Sequence, residues 1–326
     1  MDPAQFFAAS RLVIVAGKGG VGKTTVSATL ASAAAQRGLT SLIVEVEGKS
    51  GLSSTFGRPA FSYDEVTLAD GDDATGRAPV LARTLTPDEA LVEYLEQSGM
   101  SRISKRLLNS GALDMVATAV PGIRDILVLG KVKQLERGHP ADLLVLDAPA
   151  AGHAISFLQS ASGLADAVKI GPINTQARDV LELLADPARC QVVLVTLPEE
   201  TPVNELVDTA YQLEDRVGVS LGPVVVNGCY PPLPGLDVDP SAAAAAADVS
   251  LRRGEAGALA AAASFRRERM ALQDEQVRRL SDALPLPQIR LPYLFEAELG
   301  PPQLERLASS FLDGVDDLIA PPEVAG

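Results

Sequence analysis

Short apolar runs closed by glycine, proline or acids alternate along this chain with longer stretches in which apolar residues recur every three or four positions. The first run, Arg11 to Gly17 (RLVIVAG), ends in glycine and leads through a glycine-rich turn into an alanine-rich stretch, Lys23 to Gln36, of helical character. A second, Leu42 to Val46, carries Glu45 and Glu47 at its C-terminal end, and a third, Leu143 to Leu146, is followed by Asp147. Further runs lie at Val192 to Leu197, Pro223 to Val226 and Ile289 to Leu291. Continuous apolar strands separated by helices predict an α/β fold, a mostly parallel, doubly wound sheet covered on both faces. Ligands of such sheets bind beyond the carboxyl ends of the strands, where these acids fall.

Between Pro87 and Gly138 the pattern changes. No strand signal appears there, and Leu91, Leu95, Ile103, Leu107, Leu113, Val116, Ile126 and Leu129 recur at roughly helical spacing. This predicts an all-helical insert, residues 87–138, within a single domain covering residues 1–326. Alanine dominates Ser241 to Ala263 and charged residues follow through Leu284, which predicts one long helix. Gly71 to Pro79 and Pro231 to Pro240 have the composition of linkers, and the residues from Pro321 onward that of a loose tail.

Composition narrows the classes. A chain of 326 residues with 47% apolar and 21% charged residues has no difficulty burying a core. Its formal charge of -14 repels phosphate backbones and anionic bilayers, so a protein or small-molecule partner is expected and nucleic acid is not. No apolar run approaches the ~20 residues that span a bilayer. Met1-Asp2-Pro3 lacks the basic start of a secretory signal, so a cytoplasmic location is expected. Cys190 and Cys229 stand far apart and, with His139 and His153, offer no transition-metal set.

The turn after the first run carries the chemistry. Gly17-Lys18-Gly19-Gly20-Val21-Gly22-Lys23-Thr24 satisfies G-x-x-x-x-G-K-[ST] between a predicted strand and a predicted helix, the context this motif requires. Glycines let backbone N–H groups through Thr25 turn toward phosphate oxygens, and the helix N-terminus adds its partial positive charge. Lys23 would neutralise the β- and γ-phosphates and the Thr24 hydroxyl would ligate magnesium, so ATP and Mg2+ are the expected cofactors. Asp147, ending a buried strand beside that hydroxyl, is the second candidate for the metal, directly or through water.

The run GKGGVGKTT resembles the deviant-Walker group that includes the nitrogenase iron protein, chromosome-partitioning ATPases and arsenical pump-driving ATPases. In that group a lysine placed like Lys18 reaches the nucleotide of a facing subunit, which implies a dimer. Asp147-Ala-Pro-Ala-Ala-Gly152-His153-Ala-Ile-Ser-Phe157-Leu158 is similar to the second switch, near DTAPTGHTLRFL, of the arsenical pump ATPases and of the ATPases that target tail-anchored membrane proteins. Pro121-Gly122-Ile123, Val225-Val226-Asn227 and Leu291-Pro292 followed by Glu298 and Gly300 fall in the same order, so the resemblance spans nearly the whole chain. It implies that Asn227 contacts adenine and that the loop after Pro292 closes over the base.

The first switch departs from the family. Where the resemblance implies DPAHNLSDAF, this chain has Glu47-Gly48-Lys49-Ser50-Gly51-Leu52-Ser53-Ser54-Thr55-Phe56. The water-positioning aspartate thus falls on Glu47, one methylene longer, and a misplacement of about 1 Å can cost on the order of a hundredfold in rate. The later acid of that loop is Ser54, and Asp64 and Glu65 lie too far along to replace it.

Two functions remain open: an ATPase whose switches change dimer geometry, or an ATP-binding scaffold with little turnover. The scaffold would pair with a related subunit that bears the standard switch, since Glu45-Val46-Glu47-Gly48 resembles the EVEG-like half of such pairs. The dimer would be of identical or of related subunits. A hydrophobic protein client or a membrane partner would need an apolar groove, to which the insert contributes Met100 and Met115. Two scattered cysteines give no trio for arsenite, and no cluster-binding cysteines flank the second switch.

Overall fold

The computed structural model of the chain describes residues 2–46, 51–97, 122–149, 151–169 and 172–318. Its strands are β1 (Leu12–Gly17), β2 (Ser41–Val46), β3 (Val66–Ala69), β4 (Val80–Leu85), β5 (Leu143–Asp147), β6 (Cys190–Thr196), β7 (Val224–Cys229) and β8 (Gln288–Pro292). They form one sheet in the order β3-β4-β2-β5-β1-β6-β7-β8. Every pairing is parallel except β3 with β4.

Helix α1 (Pro3–Ala8) precedes the sheet, α2 (Lys23–Gln36) joins β1 to β2, and α3 (Gly51–Thr55) follows β2. Between β4 and β5 lie α4 (Pro87–Gln97) and α5 (Ile123–Gly138). Then α6 (Ala151–Ala167) and α7 (Pro172–Ala185) lead to β6, and α8 (Glu200–Val217) leads to β7. Helices α9 (Pro240–Ala246) and α10 (Glu255–Ala283) lead to β8, and α11 (Pro301–Asp316) follows it.

Strand residues alternate between two cores because successive side chains point to opposite faces. Leu12, Ile14 and Ala16 of β1 join Ile126, Phe157, Val180 and Leu206 of α5 to α8. Val13 and Val15 join Phe6, Leu30 and Phe311 on the other side, from α1, α2 and α11. Both faces being covered, β1 and β2 are buried at every position, which is why β1 reads as an unbroken apolar run and β2 as one interrupted only by Ser41 and Glu45. Small residues along α2, such as Ala28, Ala31 and Ala35, let that helix lie close between the sheet and α11.

Helix α5 carries buried charge, each group tied to a different neighbour. Lys131 pairs with Glu93 of α4, Lys133 with Asp179 of α7 at 2.7 Å, and Glu136 with Arg189 before β6 at 2.5 Å. The hydrogen bond from Lys133 holds the Asp179 carboxyl below the usual carboxylate range, so the carboxylate stays charged near neutrality.

One sequence expectation changes, and two strands appear that the sequence did not signal. The Gly71–Pro79 linker joins the β3–β4 pair through a turn in which Asp72 bridges Arg77. The single long helix expected from Ser241 onward is two, α9 and α10, broken where Asp248 and Gly254 take φ of 54° and 86°. No packing partner holds the stretch in one rod, and Asp248, Val249 and Ser250 are poor helix formers. Of the expected insert, the described residues show α4 and α5, while 98–121, with Met100 and Met115, lie outside the described residues. So does the tail from Pro321. No helix among the described residues is long and apolar enough to cross a membrane.

Candidate functional site

The winding direction of the sheet reverses beside β1: its connection runs to β2 across β5, whereas the chain leaving β5 returns on the far side to β6. The crevice at such a reversal, above the C-terminal strand ends, is where open α/β sheets hold ligands. The Gly17–Thr24 turn rises from β1 into it, and Asp147 ends the adjacent β5, opposite Val15 in register.

Glycine is required at several positions of the turn for different reasons. Gly20 and Gly22 have φ of 86° and 92°, a region that side chains disfavour. Gly17 has ordinary φ but no room, because a Cβ there would overlap the Val195 carbonyl oxygen of β6. Gly17→Ala is therefore expected to destabilise the fold by about 3 kcal/mol. Gly20→Ala, where a Cβ meets nothing, costs only about 1 kcal/mol through backbone strain. Thermal unfolding of the two variants separates crowding from strain, and equal melting temperatures would remove the crowding argument.

Lys23 and Thr24 open α2, whose N-cap is Gly22. Lys23 is buried, and its ammonium donates to the Lys18 carbonyl at 3.1 Å, so the side chain folds back along the loop. The Thr24 hydroxyl donates to Asp147 Oδ2 at 2.7 Å, and Ser27, one turn on, donates to Oδ1 at 3.3 Å. Asp147 is 0% exposed. Beside it in the β2–β5 register sits Glu45, also buried, which accepts from Thr84 at 3.4 Å. Ser27 and Thr84 escaped the sequence reading. Ser27 was findable as the residue one turn after Thr24 on the same face.

Lys18 stands on the loop's outer side, 51% exposed, and pairs with Glu205 of α8 in the same chain. Nothing in the sequence marks Glu205, since the two are 187 positions apart. Asn227, at the end of β7, donates its side-chain amide to the Val21 carbonyl at 3.0 Å, so it braces the turn directly. Pro292 ends β8 opposite Cys229, and Tyr293 N donates to the Cys229 carbonyl at 2.7 Å. Tyr230, Tyr293 and Phe295 cluster there with ring centroids 4.8–5.3 Å apart. Burial pushes the Cys229 thiol up to about 11, so it is protonated near neutrality.

The crevice therefore gathers Gly17 to Thr25, Asp147 and Asn227, with Pro292 on its rim, three strands from β1. Glu47 lies outside the described residues; Val46 ends β2, and Gly51 opens α3, where a Cβ would touch Thr24 at 3.6 Å. Ala148 and Pro149 follow Asp147, Ala150 lies outside the described residues, and α6 starts at Ala151. Gly122, the N-cap of α5, packs on α6: a Cβ there would meet Ser160 at 3.1 Å. Among the described residues no group of three His, Cys, Asp or Glu could hold a metal. Thr24 and Asp147 offer instead two hard oxygens, the kind of partial set that suits magnesium completed by phosphate and water.

Sheet, turn and strand-end carboxylate define a P-loop ATPase fold. The chain belongs to the anion-transporting ATPase family, whose model matches residues 10–171. It is 35% identical over 228 residues to ATPase BagA of Mycobacterium tuberculosis, a match covering 68% of this chain and 66% of that protein. It is 30% identical over 190 residues to ATPase GET3 of Kluyveromyces lactis, covering 54% of this chain and 52% of that protein. With ATPase get3 of Schizosaccharomyces pombe it shares 27% over 165 residues, 50% and 47% of the two chains. The chain thus spans just under two thirds of BagA and about half of the GET3 proteins.

Proposed function

We propose that the chain binds ATP with Mg2+ in the Gly17–Thr25 cradle and hydrolyses it as one half of a dimer in which P-loops face each other. The observation that carries this reading is the half-buried 2.7 Å contact between Thr24 and Asp147 at the mouth of a strand–turn–helix motif. Lys23 would neutralise the terminal phosphates, the turn's amides and the N-terminus of α2 would hold their oxygens, and Thr24 and Asp147 would hold the ion. When bound, magnesium would supply charge neutralisation to the terminal phosphates. Asn227, Pro292 and the aromatic residues beside them would border the base.

Glu47 would position the attacking water, and Lys18 would leave Glu205 to reach the facing subunit's nucleotide. In keeping with the family resemblance, residues 87–138 would form a helical insert of a single domain, offering an apolar groove to a hydrophobic client or membrane partner. The test is Glu47→Gln in a steady-state ATPase assay with parallel binding measurements. Binding stays at the wild-type level while turnover falls by about a hundredfold. Unchanged turnover would show that Glu47 is not the water-positioning group.

One departure favours a second reading. Glutamate in place of aspartate at the first switch suits a subunit that binds ATP but turns it over slowly, regulating a related subunit that carries the DPAH switch. Adding such a subunit to the purified chain decides between the two, since a scaffold is silent alone and active only in the mixture.

A further inference from the structure

The first three quarters of the segment joining β7 to β8 contribute nothing to the hydrophobic interior: from Tyr230 to Leu272 not one residue is buried. It is helical all the same over α9 and the first two thirds of α10. Alanine accounts for the helicity, since it needs no packing partner to favour a helix. It does not account for the large apolar side chains. Nine of these are exposed among the described residues, and six lie here: Leu233, Val238, Val249, Leu259, Phe265 (63% exposed) and Leu272. Scattered single exposures are ordinary, but a concentration of this kind marks a contact surface.

The arm has a direction. Gln273 of α10 bonds to the Tyr230 amide at 2.8 Å and to the Gly228 carbonyl at 3.2 Å, which sets it level with the C-terminal end of β7. From there α10 descends to feed β8, so the residues before it, Glu255 to Leu272, run past the strand ends on the P-loop side. At 1.5 Å per residue they extend about 27 Å. Arg266 fixes the base, its guanidinium 4.2 Å from the Tyr230 ring centroid and 4.8 Å from that of Phe295, and donating to the Pro231 carbonyl at 2.8 Å. Arg269 pairs with Glu199, just beyond β6, at 3.6 Å. The arm is thus tied to the loops that border the crevice.

We infer that this arm clasps the nucleotide face of a second copy of the chain. The inference rests on the face-to-face dimer proposed for Lys18, and three observations select that occupant. The arm projects from the face on which that copy would sit. Its charges cancel, five carboxylates against five guanidinium groups over residues 231–272, so in a chain of net charge -14 it is a stretch through which two like molecules approach without repulsion. A two-fold pair uses both arms at once, which brings six large side chains per copy toward the roughly 800 Å² per partner that stable interfaces bury.

Sedimentation of the full chain with and without Mg-ATP tests this, comparing wild type with the Leu259→Glu, Phe265→Glu double variant. Wild type dimerises with nucleotide, while the variant needs at least about 30-fold more protein to do so and keeps wild-type melting temperature and, at protein concentrations where both are monomeric, wild-type ATP affinity. A Leu259→Ser, Phe265→Ser pair gives the same ranking if glutamate disturbs the helix. Variants that dimerise like wild type overturn the arm and leave the nucleotide-face dimer standing. A wild type that stays monomeric in every nucleotide state overturns both.

Discussion

Lys23→Ala reduces ATP affinity roughly a thousandfold, below detection in an ordinary calorimetric titration, while the protein still folds. The lysine is buried at the head of α2, beside a turn whose glycines leave backbone amides free to face an anion. Removing a charged partner from such a site costs about 4 kcal/mol, because phosphate charge is then desolvated without compensation. The variant also strips the Lys18 carbonyl of the 3.1 Å contact it accepts, worth about 1 kcal/mol of stability, so melting should fall by only a few degrees. Wild-type-like ATP affinity in a folded Lys23→Ala protein would remove the phosphate-cradle argument altogether.

Asp147→Asn lowers turnover by at least about a hundredfold and abolishes the magnesium dependence of nucleotide affinity. Asparagine keeps the shape and can still accept from Thr24 or Ser27, so the strand end should survive. What disappears is the negative charge, which has no solvent to replace it at a position that is 0% exposed. Nucleotide affinity measured in EDTA should match wild type; affinity measured with magnesium should not exceed it. If magnesium still tightened binding in the variant as it does in the wild type, the pair Thr24 and Asp147 would be a structural contact and nothing more.

The central part of this architecture was open to inspection in the sequence because its physics is local. A strand buried on both faces must be apolar throughout, a phosphate turn must be rich in glycine, and both signals fall within the fourteen residues from Arg11 to Thr24. Strands β3 and β4 gave no comparable signal. Val66–Ala69 is four residues long at a sheet edge, and Val80–Leu85 mixes Arg83 and Thr84 among its apolar residues. Pairing makes them strands: β4 lies along the whole of β2, and β3 adds to the outer edge of β4.

The site divided along the same line. Thr24 and Asp147 were named from chemistry, and the β1–β5 register brings them together. Glu205 and the brace from Asn227 to Val21 depend on chain segments 187 and 206 residues apart, which no local pattern encodes. The break between α9 and α10 was missed for the opposite reason: composition predicted continuity, and no neighbour enforces it.

That same stretch bears on how the sequences of relatives can be interpreted. Residues 230–272 lend no side chain to either core, so folding imposes almost no selection on which amino acids stand there. Drift, insertion and loss in this region would leave the sheet indifferent. Wherever related proteins nonetheless retain its apolar positions, the constraint must come from outside the subunit, and the pattern kept becomes an imprint of whatever presses against it.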